Sequence, residues 1–536
     1  MSKEPSPKEL FVSATIAALK SGKVAYYERS GNIYVDTACC GGTELVLLRS
    51  GSFTAFILDL AHTTQKIMLR ATDAELIVDQ VTAYADRNAL PLSNDPRARI
   101  IDGVLWLNPA WKNGKLIRIA AGAWSIEEPP CRIFAPLPPS MAMPVPVQTP
   151  ASEFGALMAK GITSFGDYHC FYCTTMATTM MPQDDVHPII ILSGEGAKGK
   201  STTMKLSTQL VDPDEGNECM IVSEDQRNIL AACLTRKTIG LDNTSKLPIS
   251  DDLLSQMYAG GVSKERKLYT NNELSHTKIE RMRVFINGVS PDFTKSDFFT
   301  KAIFLEQPVV TRKNAAGKDR YDSLSAVERE WKAMLPVTLG SLLSVIASGL
   351  PYYNEWVEKR AKSGRRPDAA VRFVEFAVMG EAFARAMGYP PDTFTGQVEA
   401  LSEKSKQTAA DSDECTQLIV KWAEGKRGTT FGGSDDVWGS TSTTSAYPKA
   451  DRYDITTSDL HAELQALAKV EGYNTYKMSW INNPVWLGRH LRKSLQTINN
   501  SEWYMIPKAR HGAGWIIERK ATMKENGEKV QDSMPI

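Results

Sequence analysis

The residues with the clearest chemical signature are Gly194–Ser201, which read Gly-Glu-Gly-Ala-Lys-Gly-Lys-Ser. This is the full G-x-x-x-x-G-K-[ST] pattern, in which glycines let successive backbone N–H groups curl around phosphate oxygens. Lys200 is expected to reach the β- and γ-phosphates of a nucleoside triphosphate, and Ser201 is expected to ligate Mg²⁺. The sequence therefore predicts that ATP is bound by Gly194, Glu195, Gly196, Ala197, Lys198, Gly199, Lys200, Ser201 and Thr202.

A buried strand and a helix must flank such a loop. His187–Ser193 is a continuous apolar run, typical of a strand in a parallel sheet. Thr202–Leu210 is compatible with a helix, whose positive dipole end would point at the phosphates. Strand, loop and helix come in the required order, which favours nucleotide binding over a glycine-rich turn that binds no ligand.

Two further apolar runs end in polar residues. Lys237–Asn243 carries Asp242, which we expect on a neighbouring strand where it holds Mg²⁺ through water. Asn243 occupies the position at which many hydrolytic motors carry a glutamate that activates water. Arg283–Asn287 ends in Asn287, which can orient the attacking water. The predicted catalytic set is therefore Lys200, Asp242, Asn243 and Asn287, with Ser201 and Asp242 as the metal ligands.

A basic hairpin is predicted between these two strands. After a helix at Ser250–Ala259, the runs Lys264–Thr270 and Ser275–Arg281 flank a polar turn. A solvated charged hairpin is one interpretation, and a DNA-gripping hairpin, with Tyr269 for base or sugar contact, is the other. The candidate DNA contacts are Lys264, Arg266, Lys267, His276 and Lys278.

The C-terminal region has the pattern of a winged helix. Helical patterns at Thr457–Val470 and Pro484–Thr497 precede two short strands, Glu502–Ile506 and Gly514–Arg519. Residues 482–520 contain seven basic and two acidic residues. A protein-interaction domain with a basic face is the alternative to DNA binding. The candidate DNA contacts are Arg489, Arg492 and Lys493 on the second helix, and Lys508 and Arg510 in the turn.

The order of these motifs resembles one family. From Ile190 to about Pro308, the pieces LSGEGAKGKST, LVDP, LDNTSKLPISDDLLSQMYAGG, KERKLYTNNE and RVFINGV are similar to P-loop ATPases of phages, plasmids and integrated elements. These are related to superfamily 3 helicases and to the helicase part of poxvirus-type primase–helicases. The resemblance implies an AAA+ fold, a homo-hexameric ring, and translocation along DNA that passes through a basic pore.

The resemblance also implies an arginine finger that acts across a subunit interface. The family has an acid–Arg pair before its last core strand, and Lys301 stands where that arginine is expected. Lys301 would supply a point charge rather than a bidentate fork. Arg281, Arg283 and Arg312 are the alternatives. The family's N-terminal region resembles residues 98–150, which implies a collar or adaptor domain.

The predicted fold class is α/β, with an AAA+ P-loop core, a parallel sheet, a helical lid, an N-terminal α+β domain and a C-terminal winged helix. The N-terminal domain is expected to contain one or two helices, and the lid to contain separate helices at Ala326–Met334 and Leu339–Gly349. The predicted boundaries are 1–150 for the N-terminal domain with a proline-rich connector, 151–312 for the ATPase core, 313–425 for the lid, 426–450 for a flexible linker, 451–520 for the winged helix and 521–536 for a disordered tail.

Composition limits the remaining classes. The 536 residues contain 62 basic and 62 acidic side chains, so only local basic patches are available for nucleic acid. No apolar run reaches the roughly 18 residues that a membrane helix needs. The eight cysteines indicate no disulfide framework, and Cys170 and Cys173 are expected in a core. These features favour a cytoplasmic protein without a membrane partner.

Two functions remain. The first is an ATP-dependent, ring-forming DNA helicase or translocase that replicates a phage or mobile element, with ATP and Mg²⁺ as cofactors and single-stranded or forked DNA as partner. Primase activity is not supported, because no paired acidic motif of the kind a primase needs for two-metal catalysis is recognised. A separate primase or initiator is a candidate partner. The second is a regulatory AAA+ NTPase, a helicase loader or defence switch, that assembles on DNA without unwinding. Asn243 and Lys301 keep this second interpretation open.

Overall fold

The computed structural model describes residues 5–37, 45–183, 186–195, 198–216, 220–221, 226–242, 251–266, 274–288, 300–308, 312–313, 319–320, 324–363, 373–412, 414–425, 430–431, 442–443, 450–473, 478–499, 501–508 and 514–520. The chain divides into two compact units. The first comprises Met1–Asp292 and Leu305–Glu399, and the second comprises Phe293–Phe304 and Ala400–Ile536. The predicted six-part division stays a prediction.

The helices, labelled in chain order, are α1 (Pro7–Leu19), α2 (Gly51–Gln65), α3 (Ala71–Asn88), α4 (Phe154–Gly161), α5 (His169–Met180), α6 (Lys200–Val211), α7 (Gln226–Thr235), α8 (Asp251–Ala259), α9 (Leu324–Ser363), α10 (Val374–Ala386), α11 (Thr393–Ser412), α12 (Glu414–Ala423), α13 (Thr457–Val470) and α14 (Pro484–Ile498).

The strands are β1 (Tyr26–Arg29), β2 (Asn32–Asp36), β3 (Leu45–Leu47), β4 (Leu90–Pro91), β5 (Ala98–Ile101), β6 (Val104–Leu107), β7 (Leu116–Ala120), β8 (Ala123–Glu127), β9 (Ile189–Ser193), β10 (Met220–Ile221), β11 (Thr238–Asp242), β12 (Gly261–Arg266), β13 (Leu274–Ile279), β14 (Arg283–Asn287), β15 (Ala302–Glu306), β16 (Arg312–Lys313), β17 (Asp319–Arg320), β18 (Thr430–Phe431), β19 (Ser442–Thr443), β20 (Arg452–Thr456), β21 (Trp503–Pro507) and β22 (Gly514–Arg519).

The chain is of mixed α/β class, and its N-terminal part contains two small sheets. The first has the order β3-β2-β1-β4 and packs with α1, α2 and α3 around Phe53, Ile77 and Val81. Three helices are therefore present where the sequence predicted one or two. Of these three, helix α1 has the weakest sequence signal of an amphipathic helix, because its apolar residues do not segregate to one side, although Ser6 and Glu9 form a capping box at its start.

The second small sheet is an antiparallel meander, β5-β6-β7-β8, that docks on α9. Pro351 lies inside α9 and has no N–H, so the carbonyl four residues earlier, that of Ala347, is left without its helical donor. The backbone N–H of Gly122, in the β7–β8 turn, donates to this carbonyl at 2.8 Å. The proline thus creates the acceptor that the sheet uses for docking.

The proline-rich connector follows the same helix. Val147 N donates to the carbonyl of Pro336 at 2.9 Å. A Cβ built at Gly340 would lie 1.6 Å from the Val147 carbonyl oxygen, so only glycine fits at this crossing. The connector is extended, as its prolines predict, but it is packed against α9.

Helix α9 is continuous, which corrects the predicted break between Met334 and Leu339. Pro336 lies inside the helix without interrupting it, and its carbonyl accepts a hydrogen bond from the connector. Within the described part of the chain, Leu324–Lys359 is the one stretch long and apolar enough to cross a membrane, although the sequence showed no such run. Its most apolar window is 67% buried inside the protein, as in the central helix of a domain.

The main sheet has the order β10-β11-β14-β9-β15. The pairs β10–β11, β11–β14 and β14–β9 are parallel. The predicted strands at Lys237–Asn243 and Arg283–Asn287 are present as β11 and β14. However, β14 lies between β9 and β11. The strand that carries Asp242 was expected directly beside β9 and is instead separated from it by one strand. A non-local crossover sets this order, and strand patterns alone do not specify it.

The second unit contains a core of helices and a three-stranded antiparallel sheet, β20-β22-β21. Helices α12, α13 and α14 pack on this sheet around Trp422, Trp503 and Trp515, which are at most 2% exposed. The predicted helix at Thr457–Val470 and the predicted strand at Gly514–Arg519 are confirmed residue for residue. The helix predicted to end at Thr497 ends one residue later.

Candidate nucleotide site

The glycine-rich segment joins β9 directly to α6. Gly194 has φ of 128° and Gly199 has φ of 84°, conformations in which a side chain would be strained. Gly199 is also the N-cap of α6, so the first turn of the helix follows the loop without a break. The predicted order of strand, loop and helix is present.

Lys200 lies in the first turn of α6 and is 9% exposed. Its ammonium group donates to the carbonyl oxygens of Gly194 and Glu195, each at 2.7 Å. Burial, and secondarily the charge of Lys198, lowers the pKa of Lys200. The amine is thus held over the loop by backbone acceptors.

Two strand ends meet at Ser201. Its hydroxyl donates to Asp242 Oδ1 at the end of β11, at 2.8 Å. The side-chain amide of Asn287, at the end of β14, donates to the Ser201 Oγ at 3.3 Å. Because the carboxyl ends of parallel strands share one edge of the sheet, residues distant in sequence converge beside the loop.

These residues fit a nucleotide with Mg²⁺. A hydroxyl beside a carboxylate is an oxygen ligand set of the kind that Mg²⁺ takes in phosphate sites. Gly194 and Gly199 adopt backbone conformations that glycine takes without strain, and α6 directs its N-terminal dipole towards the loop. We conclude that Lys200, Ser201, Asp242 and Asn287 are brought together, and that their spacing is compatible with phosphate and metal binding.

Three further predicted residues of the loop, Glu195, Lys198 and Thr202, lie within the described part of the chain. Glu195 is exposed and Thr202 is half-buried. Lys198 Nζ lies 3.6 Å from Glu306 Oε1, at the end of β15. Gly196, Ala197 and Asn243 lie outside the described residues.

The four candidates for the arginine finger lie in different environments. Arg283 is 1% exposed and donates to the Pro182 carbonyl at 2.8 Å, so it cannot reach a neighbouring subunit, and this alternative is wrong. Arg281 is half-buried and donates to the Ala259 carbonyl at 3.2 Å. Arg312 lies on β16. Lys301 is half-buried in the turn before β15 and belongs to the second unit.

The predicted basic hairpin is present as β12 and β13. Their antiparallel register pairs Lys264 with His276, and Arg266 with Leu274. Lys278 lies opposite Val262. The structure describes these residues by their backbone, and Lys267 and Tyr269 lie outside the described residues.

Four of the five candidate DNA contacts in the C-terminal region lie within the described residues. Arg489 and Arg492 are exposed on α14, where Lys493 also lies. Lys508 is also exposed and forms an ion pair with Asp454, so part of its charge is neutralised within the domain. Arg510 lies outside the described residues.

A buried charge cluster supports the site from the opposite end of the strands. Asp212 follows α6 and accepts hydrogen bonds from the backbone N–H groups of Lys237 and Thr238, each at 2.8 Å, at the start of β11. Its other oxygen pairs with Arg97 at 2.7 Å, and Lys237 Nζ pairs with Asp95 at 2.6 Å. The cluster therefore fixes the end of α6 against the start of the strand that carries Asp242.

Sequence reasoning missed this cluster. Its members are single charged residues next to apolar runs. That position beside a buried segment was the only feature of the sequence that could have indicated a buried ion pair. By contrast, the interior placement predicted for Cys170 and Cys173 is confirmed, since both thiols are buried on α5. No cluster of three or more His, Cys, Asp or Glu side chains that could hold a metal ion is present among the described residues.

The chain is similar to known proteins in structure only, and the similarity is weak. No family model matches the sequence, and no curated protein matches it. Among solved structures, the chain is similar to the A form apo structure of the NrS-1 C terminal region, with 10% identity, a TM-score of 0.38 and coverage of 94% of this chain and 98% of that one. An apo structure of NrS-1 C terminal region 305–718 gives 10% identity, a TM-score of 0.37 and coverage of 96% and 100%. Similarity this weak carries no argument about function, which depends on the geometry of the site.

Proposed function

We propose that this protein is an AAA+ P-loop ATPase that forms a ring and uses ATP hydrolysis to translocate along or unwind DNA in the replication of a phage or mobile element. The observation that carries the proposal is the convergence of Lys200, Ser201, Asp242 and Asn287 at one edge of a parallel sheet. Hydrogen bonds of 2.8 Å and 3.3 Å join Asp242 and Asn287 to Ser201, which follows Lys200 in the first turn of α6.

The nucleotide half of the proposal assigns a role to each of these residues. Loop N–H groups and the Lys200 ammonium would hold the phosphates, while Ser201 and Asp242 would hold Mg²⁺. The metal ion supplies charge neutralisation on the phosphate oxygens when it is bound. Asn287, which is 2% exposed, is held in place to orient a water molecule beside the loop.

The DNA half of the proposal depends on two basic elements. One is the β12–β13 hairpin, whose sequence is rich in Lys, Arg and His. The other is α14, with exposed Arg489 and Arg492, in a helix-and-sheet domain that we interpret as a winged helix. A nucleotide-binding metabolic enzyme would have no use for either element, so both favour a DNA-coupled motor.

The first test is ATP hydrolysis by the purified full-length chain, with and without single-stranded DNA. We expect hydrolysis that rises with DNA, is abolished in Lys200→Ala, and is unchanged in Lys115→Ala, an exposed lysine far along the chain. Hydrolysis that is absent, or indifferent to DNA, would overturn the motor proposal. Unwinding of forked DNA that is lost in Lys264→Ala/Lys267→Ala would then assign the hairpin to the pore.

A regulatory NTPase is the second candidate, and Asn243 is the observation that favours it. An amide cannot accept a proton as a glutamate general base does, so slow hydrolysis fits a switch. ATP-dependent assembly on DNA without unwinding, measured by mass photometry beside the unwinding assay, would support the switch over the motor.

A further inference from the structure

The N-terminal turn of α14 has a fixed and unusual composition. Asn483 caps it, because its Oδ1 accepts a hydrogen bond from the Trp486 backbone N–H at 2.9 Å. Pro484 occupies the first helical position, where its fixed φ favours helix initiation. The residues that follow, Val485 and Trp486, are apolar, and the cap holds their backbone in place.

Trp486 is exposed, whereas the other tryptophans that the structure describes in this unit are buried. The indoles of Trp422, Trp480, Trp503 and Trp515 are at most 7% exposed in one core. Trp486 is 46% exposed and Val485 is 64% exposed. The opposite face of α14 supplies Leu487 and Leu491, both fully buried, so Trp486 is not required to hold the helix on the domain.

The surface around Trp486 is basic. Arg489 lies three residues along the helix and shares its face, and Arg492 lies one further turn along. A helix that docks in an apolar groove of another protein presents apolar anchors at i, i+3 or i+4, and i+7. On α14 the exposed apolar residues are confined to the first turn, at Val485 and Trp486. The next exposed positions along the helix are occupied by the cations Arg489 and Arg492. This arrangement matches a flat aromatic surface beside a row of phosphate contacts.

We propose that Trp486 stacks on an unpaired nucleobase of single-stranded DNA, with Arg489 and Arg492 on the adjoining phosphates. The inference rests on the proposed function, because it takes DNA as the partner, and it adds the kind of contact and the form of DNA. Stacking tolerates any base, so binding here is insensitive to sequence and prefers single-stranded or forked DNA to blunt duplex.

The test is binding of the full-length chain to a labelled oligo(dT), measured by fluorescence anisotropy at two salt concentrations without ATP. We expect Trp486→Ala to weaken binding about five- to a hundred-fold. Trp486→Phe should retain most of the affinity, and Trp486→Leu should resemble Trp486→Ala. Val470→Ala, a matched exposed apolar residue on α13, should leave affinity unchanged. Arg489→Ala should also reduce the salt dependence of binding.

The outcomes separate the two proposals. If the wild type binds oligo(dT) and Trp486→Ala binds equally well, the stacking inference is wrong and the DNA-motor proposal stands. If Trp486→Leu retains full affinity, the contact is merely apolar and stacking is again overturned. If the wild type binds no DNA, both proposals fail. Since Trp486 is exposed, unchanged thermal unfolding of each variant will exclude misfolding as the cause.

Discussion

The buried ion pair between Arg97 and Asp212 allows a quantitative test of the architecture. Arg97 is 1% exposed, and its guanidinium lies 2.7 Å from the Asp212 carboxylate. It also donates to the carbonyls of Asn108, Met141 and Pro213 at 2.8–3.2 Å. Arg97→Met would keep much of the volume but strand a carboxylate in the interior and leave three carbonyls without this donor.

The size of the effect follows from burial. Removing one partner of a buried pair costs about 3–5 kcal/mol, because the other charge stays buried and uncompensated. Asp212 would still accept two backbone N–H groups, so we expect the lower end, about 3 kcal/mol. The first unit has roughly 390 residues, for which the unfolding entropy is about 0.8 kcal/mol/K. The melting temperature of this unit should therefore fall by about 4 °C.

Differential scanning calorimetry of the full-length chain measures this shift. Arg87→Met, on the exposed side of α3, is the control and should melt within about 1 °C of the wild type. Arg97→Met/Asp212→Asn removes the stranded charge and should recover part of the loss. A shift below about 1 °C for Arg97→Met, or a double variant less stable than the single one, would refute the assignment of a buried, charged pair.

Three further predictions concern the site and its support. Gly199→Ala should lower ATP affinity about tenfold, measured by nucleotide titration, because φ of 84° costs an alanine about 1–2 kcal/mol; unchanged affinity would contradict the loop geometry. Asn287→Ala should reduce single-turnover hydrolysis about a hundred-fold while ATP binding stays within about threefold, as for the loss of one positioned donor; equal loss of binding would assign Asn287 to the fold instead. Burial lowers the pKa of Lys237 from 10.5 to about 8, so the unfolded chain keeps this proton at pH values where the native protein releases it. Stability should therefore rise between pH 8 and 10.5 relative to Lys237→Met, by about 2 kcal/mol at pH 9.5, and a fall in that difference would contradict the assignment.

The sequence predicted the local elements of the site well, because each depends on a short pattern. The loop, the strand ending in Asp242 and the strand ending in Asn287 were all found from apolar runs with polar ends. Their spatial order was not, since β14 enters between β9 and β11 through contacts between distant segments. Strand pairing of that kind has no signature in the sequence of any one strand.

Prolines and lone charges misled the sequence interpretation for a related reason. Pro336 and Pro351 predict breaks, yet both lie inside α9. The carbonyl that Pro351 leaves without a helical donor, that of Ala347, accepts from Gly122, and the connector donates to the carbonyl of Pro336. Similarly, Arg283 qualified as a finger by type alone, whereas burial decides that it is structural. In each case the deciding partner lies more than a hundred residues away in sequence.

The carboxylates at the two ends of β11 have different partners. This difference distinguishes a structural carboxylate, Asp212, from a candidate functional one, Asp242. At the start of β11, Asp212 has a cation on one oxygen and two backbone donors on the other, so its charge is satisfied inside the protein. At the end of the same strand, the described residues give Asp242 only the neutral hydroxyl of Ser201, at 2.8 Å. Asp242 is half-buried, and a carboxylate in that position is stabilised by a neighbouring cation. A Lys or Arg beside Asp242 would therefore indicate a purely structural role. The chain instead presents the Asp242 carboxylate and the Ser201 hydroxyl beside the glycine-rich segment, an oxygen ligand set of the kind that the proposed Mg²⁺–nucleotide complex would use.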